Sequence, residues 1–331
     1  MITIVLDAMG GDFAPRETLL GAYAAVEAYP VKVLLVGPEA DVKAAQRALK
    51  LPDHPHIHIV HADELVGMSE SPTQSFRKKK NSSIQVGLRL ISEKKADAFV
   101  SAGNTGAVMT AATFVLGRLP GIDRPAIATV FSGREHSKVV MLDMGASADC
   151  RPAHLLQFAE MGRCYAQSVV GIDAPRIGLL SIGEEPEKGN QLIQDTFPLF
   201  QEKVANFYGN IEGKEIFLNK CDVVVCDGFV GNSLLKFGEG VVALFMDYFK
   251  GIRKTSILGT IGLLFLMGSL KKFKKEYDFE ETGGAPLLGV DGVVIIAHGR
   301  SSQKSIKHAI RNAYQAVSHG MVDAIADAVK E

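Results

Sequence analysis

Ala98-Phe-Val-Ser-Ala-Gly-Asn-Thr-Gly106 decides the fold. Three apolar residues read as a short buried strand, a polar glycine turn follows, and Thr105–Leu116 takes up a helical pattern. The phrase recurs in Leu142-Asp-Met-Gly-Ala-Ser147, Leu180-Ser-Ile-Gly-Glu-Glu185, Cys226-Asp-Gly-Phe-Val-Gly-Asn232 and Ala297-His-Gly-Arg-Ser-Ser302. In a parallel sheet such ends share one edge, where α/β proteins place their ligands. Glycine lets the backbone approach an anion, and the following helix points free N–H groups at it. One such turn is ordinary chain reversal. Five, each with Asn, Ser or Asp alongside, read as an edge built to hold phosphate or an oxyanion.

Working outward, strands are expected at Ile2–Leu6, Val31–Val36, His56–Val60, Ala98–Val100, Ile127–Phe131, Val139–Leu142, Ile177–Leu180, Val223–Cys226 and Val293–Ala297. Amphipathic helical patterns cover Glu17–Ala28, Ser83–Lys94, Thr105–Leu116, Ala153–Val169, Asn232–Phe249 and one final run, Gln303–Val329. This alternation predicts an α/β fold with a mainly parallel sheet flanked by helices. The expected organisation is a single catalytic unit over 1–331 with two lobes and a central cleft.

With 331 residues, 47% of them hydrophobic, the chain has ample material for a core. A net charge of −1 argues against nucleic acid as a partner, since neutralising phosphates needs a basic excess. Cys150, Cys164, Cys221 and Cys226 form no CxxC pair and suit reduced thiols. The first residues, MITIVLD, already read as a strand, so a signal peptide is not expected and a cytoplasmic location is. No GxxxxGK[ST] loop and no GxSxG elbow is present, and Gly238-Glu-Gly240-Val-Val-Ala243 lies within a helical pattern. The tract His54-Pro-His56-Ile-His58-Ile-Val-His61 reads as an exposed edge strand rather than a metal site. No metal and no cofactor is expected.

A resemblance rests on Asp7-Ala-Met-Gly-Gly-Asp12, Ser71-Pro72, Arg77-Lys-Lys-Lys80-Asn-Ser-Ser83, Ser101-Ala-Gly-Asn-Thr-Gly106 and Pro125-Ala-Ile-Ala128. It continues through Asp143-Met-Gly-Ala146, Gly183-Glu-Glu185, Lys188-Gly-Asn190, Gly228-Phe-Val-Gly-Asn232, Gly283-Gly-Ala-Pro-Leu-Leu-Gly289 and His298-Gly. In that order, over essentially the whole chain, these blocks resemble the PlsX-type phosphate acyltransferases of bacterial phospholipid synthesis. Ser147 stands where that pattern has Asn. The resemblance implies a fold similar to phosphotransacetylases and to the isocitrate and isopropylmalate dehydrogenases. It implies a homodimer, and transfer of a fatty acyl group from acyl-carrier protein to inorganic phosphate. By family analogy, a glycerol-3-phosphate acyltransferase acts downstream. Alternatives are a phosphotransacetylase using short acyl-CoA, and a non-catalytic, membrane-recruited scaffold for the carrier protein.

In such a reaction phosphate is the nucleophile, so the protein need only hold it beside the thioester carbonyl and stabilise the developing oxyanion. Asn104, Thr105, Asn232 and Ser147 are expected around these groups, with Gly106 and Asn190 in the flanking turns. Lys188, after Gly183-Glu-Glu185 and before Gly189-Asn190, is the expected cation. His298 either protonates the leaving thiolate or hydrogen-bonds its own loop. Asp7 and Asp12 would repel phosphate, so they are expected to order the first turn. Lys80, Ser82 and Ser83 open a helical pattern: Ser82 or Ser83 caps it, and the basic run either binds an anion or docks the acidic carrier. Within the apolar and basic segment 251–276, Ile257–Leu270 is too short to span a bilayer and precedes Lys271-Lys-Phe-Lys-Lys275. It reads as peripheral contact with an anionic membrane, or else as a buried helix at a dimer interface.

Overall fold

A computed structural model of the chain describes residues 1–255, 261–270 and 282–329. Two sheets organise it. The first has seven strands: Ile2–Asp7 (β1), Val31–Gly37 (β2), Ile57–His61 (β3), Ala98–Ser101 (β4), Ala126–Ile127 (β5), Ala285–Leu288 (β11) and Val293–Ile296 (β12). Their order is β3-β2-β1-β4-β12-β11-β5. Thr129–Ser132 (β6), Lys138–Leu142 (β7), Ile177–Ser181 (β8), Phe207–Glu212 (β9) and Val223–Val225 (β10) form the second, in the order β6-β7-β10-β8-β9. Pairing is parallel except where β11 meets β12 and β5, and where β6 meets β7.

Central strands are unbroken apolar runs because helices cover both faces. From Ile4 to Asp7, β1 is buried throughout, as is all of β10. The helices are Arg16–Val26 (α1), Glu39–Ala48 (α2), Pro72–Lys78 (α3), Ser83–Ser92 (α4), Thr105–Val115 (α5), Pro152–Tyr165 (α6), Gln191–Lys203 (α7) and Gly228–Thr255 (α8). Three more follow at Ile261–Leu270, Gln303–Ser318 and Met321–Ala328. One buried cluster joins Ile4 and Leu6 of β1 to Leu142, Ile177 and Val223 of the second sheet. The other joins Val5 and Phe99 to Met141 and Val224.

Two expected elements divide. The run Ile127–Phe131 breaks at Ala128, whose N–H donates to the Pro286 carbonyl (3.0 Å), so β5 and β6 enter different sheets. The final helical run breaks at Gly320, which takes a left-handed conformation (φ 62°) that glycine tolerates without a Cβ penalty. The histidine tract forms β3, which among the described residues is the edge of the first sheet, paired with β2, with His58 and His61 exposed. Of the 251–276 segment, residues 256–260 and 271–276 lie outside the described residues, including the lysines after Leu270.

Candidate active site

In the first sheet the C-terminal ends of β1, β4 and β12 lie side by side. Ala297 N–H donates to the Ser101 carbonyl (2.8 Å), and Asp12 N–H to the Gly299 carbonyl (2.7 Å). Asp7 ends β1 as a buried carboxyl that organises this corner. It accepts from Ser101 Oγ (2.8 Å), from Met9 N–H (3.2 Å) and from the Ser83 hydroxyl. Ser101 Oγ in turn accepts from Gly103 N–H (3.0 Å), so the β4 turn is tied to the β1 turn through one hydroxyl. Burial pushes the Asp7 carboxyl above its ordinary value, and these donors pull only partly against that.

The second sheet repeats the device. Asp143, at the end of β7, is fully buried and accepts from four backbone amides: Ile127 (3.0 Å), Gly145 (3.1 Å), Ala146 (3.0 Å) and Ser147 (2.6 Å). Burial raises its pKa too, against those amides. The β10 turn closes over it, with Gly228 N–H donating to the Ser147 carbonyl (2.8 Å). Asp227 caps α8 by accepting from Phe229 and Val230 N–H (2.9 Å each). Gly231 is required at the next position, because a Cβ there would overlap the Asp143 carbonyl. With α8 that close, the Asn232 side chain comes against Gly145, where a Cβ would sit 3.4 Å from it.

The expected site residues thus fall into three neighbourhoods. Ser147 and Asn232 share the Asp143 turn, with Asn232 exposed. Ser147 contributes its backbone, donating to Asp143 and accepting from Gly228, which a serine does as well as an asparagine. Lys188 and Asn190 share the β8 turn. Ser181 Oγ donates to the Lys188 carbonyl (3.2 Å), Asn190 caps α7 by accepting from Ile193 N–H (3.1 Å), and Lys188 is exposed. His298 and Asn104 lie on the first-sheet edge, with Thr105 exposed and Gly106 half-buried. His298 is an exposed residue whose Nδ1 accepts from Arg300 N–H (3.2 Å), which leaves the proton of the neutral ring on Nε2.

Three expectations change in detail. Asn104 does not offer its amide outward: Nδ2 donates to the carbonyls of Met68 (2.9 Å) and Glu70 (3.0 Å), with a longer contact to Gly67 (3.4 Å). Its Oδ1 caps α5 by accepting from Ala107 N–H (3.0 Å). Ser82 does cap α4, yet both Ser82 and Ser83 are buried. The protein's own Asp7 carboxyl stands at that helix N-terminus, accepting from the Ser83 hydroxyl, and occupies the place an anion would take. Lys80 places its amine over the Phe76 ring (4.6 Å), a cation–π contact on the exposed face. Sequence reasoning gave Asp143 no role. The available signal was an Asp directly after an apolar run and shortly before a glycine, in Asp143-Met-Gly145 as in Asp7-Ala-Met-Gly10, the pattern that marks Asp7 as a turn-ordering residue.

Cysteine chemistry fits poorly. Burial pushes the Cys150 and Cys164 thiols up to about 11, the Cys221 thiol up to about 12, and the Cys226 thiol well above its ordinary value. A thiol so seldom ionised is a weak nucleophile.

By architecture the molecule is an α/β protein with two mixed, mostly parallel sheets, a fold shared with solved phosphotransacylases. A branched-chain phosphotransacylase from Enterococcus faecalis superposes with a TM-score of 0.61 at 15% identity, covering 96% of this chain and 100% of that one. 4-Hydroxythreonine-4-phosphate dehydrogenase from Klebsiella pneumoniae gives 0.56 at 14% identity, covering 96% and 98%. At such identities the likeness is one of fold alone. The sequence identifies the family: the model described as "Fatty acid synthesis protein" matches residues 2–324. A phosphate acyltransferase from Halothermothrix orenii is 47% identical over 325 residues, covering 97% of each chain. The chain belongs to the phosphate acyltransferase family of fatty acid and phospholipid synthesis.

Proposed function

We propose that the protein transfers a long-chain fatty acyl group from the thioester of acyl-carrier protein to inorganic phosphate, giving an acyl phosphate and the free carrier thiol. One observation carries this reading: the strand-end turns that expose Lys188, Asn232 and His298 also bear large exposed apolar side chains. Phe13 follows the β1 turn (49% exposed), Ile182 the end of β8 (80%), and Phe229 the first turn of α8 (68%). A site for phosphate and a small polar partner has no use for them, whereas phosphate beside an alkyl thioester uses both.

In the reaction, a phosphate oxygen attacks the thioester carbonyl. The tetrahedral oxyanion collapses with cleavage of the C–S bond, and the thiolate takes a proton. The raised thiol pKa values favour direct attack over a cysteinyl intermediate. Asn232, exposed beside the Gly145 turn, serves as oxyanion and phosphate donor, and Lys188 offsets the phosphate charge. His298 Nε2–H supplies the proton to sulfur. The test compares long-chain acyl-carrier protein with acetyl-CoA as donors, trapping product with hydroxylamine. Turnover with acetyl-CoA alone would make the protein a phosphotransacetylase, and carrier binding without turnover a scaffold.

The exposed apolar helices support a homodimer and a peripheral membrane location. Phe237, Leu244 and Tyr248 are exposed along α8, which suits burial against a second copy. The 22-residue stretch Gly228–Phe249 is long and apolar enough to span a bilayer by length and composition. Its first turn is nevertheless packed into the site at Gly231. On Ile261–Leu270, Phe265 is 87% exposed while Leu263 is buried, so Phe265 is the better probe of bilayer contact. Phe265→Glu should abolish flotation with phosphatidylglycerol vesicles while leaving turnover of soluble acyl-carrier protein intact; undiminished flotation would refute the contact.

A further inference from the structure

The loop between β3 and α3 plays no part in the mechanism above, yet it is tethered to the first-sheet edge by several side-chain hydrogen bonds. Asn104 Nδ2 holds its Met68 and Glu70 carbonyls. The Glu70 carboxylate accepts from Gly67 N–H (2.8 Å) and from Lys79 Nζ (2.6 Å), and Lys79 also donates to the Leu65 carbonyl (2.5 Å). In this braced loop Leu65 and Met68 stay exposed, Met68 by 46%. The Met68 methyl lies on the β12 turn, where a Cβ added to Gly299 would come within 2.7 Å of its Cε. Gly299 adjoins His298, and its carbonyl accepts from Asp12, next to the exposed Phe13. A pinned loop therefore holds an unbranched thioether at the strand end that carries the proposed proton donor.

We propose that Met68 is an acyl-chain-contacting residue that sets chain-length preference, its side chain lying along the methylenes nearest the thioester. This rests on the functional reading above and deepens it. Methionine suits this position because it is flexible and apolar, and it packs against a linear chain without demanding one shape. Asn104 is then a positioning residue, acting through the Met68 and Glu70 carbonyls. An acetyl group offers no methylene to such a wall whereas a palmitoyl chain offers several, and a single methylene in an apolar site is worth roughly tenfold in specificity.

The test is the ratio of kcat/KM for palmitoyl- and acetyl-acyl-carrier protein at saturating phosphate, using the whole chain. Met68→Gln, close in shape but polar, should lower that ratio by about fivefold, somewhat less than one fully enclosed methylene because the residue is half open to water. Met68→Leu should keep the wild-type ratio. If Met68→Gln slows both donors equally, or neither, the proposal is overturned, because a merely structural role would not discriminate by chain length. Wild-type protein that releases no thiol in response to phosphate would instead overturn the functional reading itself.

Discussion

Replacing Asn104 with aspartate changes one group and separates two jobs. The acceptor oxygen that caps α5 through Ala107 N–H survives, and the donor to the Met68 and Glu70 carbonyls is lost. A cap is worth about 1 kcal/mol and is retained. Two well-formed hydrogen bonds contribute roughly 0.5–1.5 kcal/mol each, and the new carboxylate repels the carbonyls it faces. The loop should therefore detach more easily by about 2 kcal/mol, roughly a thirtyfold shift in its local opening equilibrium. Amide hydrogen exchange reads this directly. Protection at Gly67, whose N–H is bound by Glu70, should fall about thirtyfold, while protection at Ala107 holds. Asn104→Ala should lose both. Unchanged protection at Gly67 in Asn104→Asp would refute the tether. A phosphate KM raised tenfold with the loop still protected would return Asn104 to the phosphate-binding role that its place in the sequence suggested.

Three further outcomes follow from the same geometry. Lys188→Ala should raise the phosphate KM and lower kcat/KM about a hundredfold, the scale of losing one transition-state donor, with circular dichroism unchanged; wild-type kinetics would remove Lys188 from the site. His298→Gln should slow transfer to a poorly acidic alkyl thiol leaving group far more than to an acidic aryl thiol, and equal slowing would reduce His298 to loop ordering. Burial raises the Asp7 carboxyl above its ordinary 3.8, so the native state holds that proton more tightly than the unfolded chain. The stability from this group is fully present below pH 3.8 and lost as pH rises through the raised value. Measured by chemical denaturation, wild type should lose stability relative to Asp7→Asn across that rise, and a constant difference would contradict the shift.

The sequence announced the buried parallel strands because they are continuous apolar runs, β1 and β10 above all. It concealed Phe207–Glu212, an edge strand with one neighbour, where Gly209, Asn210 and Glu212 interrupt the apolar pattern. It hid Glu39–Ala48 for a related reason: only Val42 of that helix is buried, so no apolar stripe marks it. Ala285–Leu288 stands out in the sequence as a motif but not as a strand, since Pro286 argues against a ladder position. The strand-end turns were legible from their glycines. Which side chains face solvent on them was not, because that depends on partners far along the chain. Asn104 turns inward to carbonyls about 35 residues earlier, and Asp143 gathers an amide from Ile127.

The most direct test is a single-turnover experiment with the protein in excess over palmitoyl-acyl-carrier protein, quenched with and without phosphate. Direct attack by phosphate predicts free carrier thiol and hydroxylamine-trapped acyl phosphate appearing together at one rate, with neither formed when phosphate is withheld. A burst of thiol without phosphate, with the acyl group retained on the protein, would contradict it.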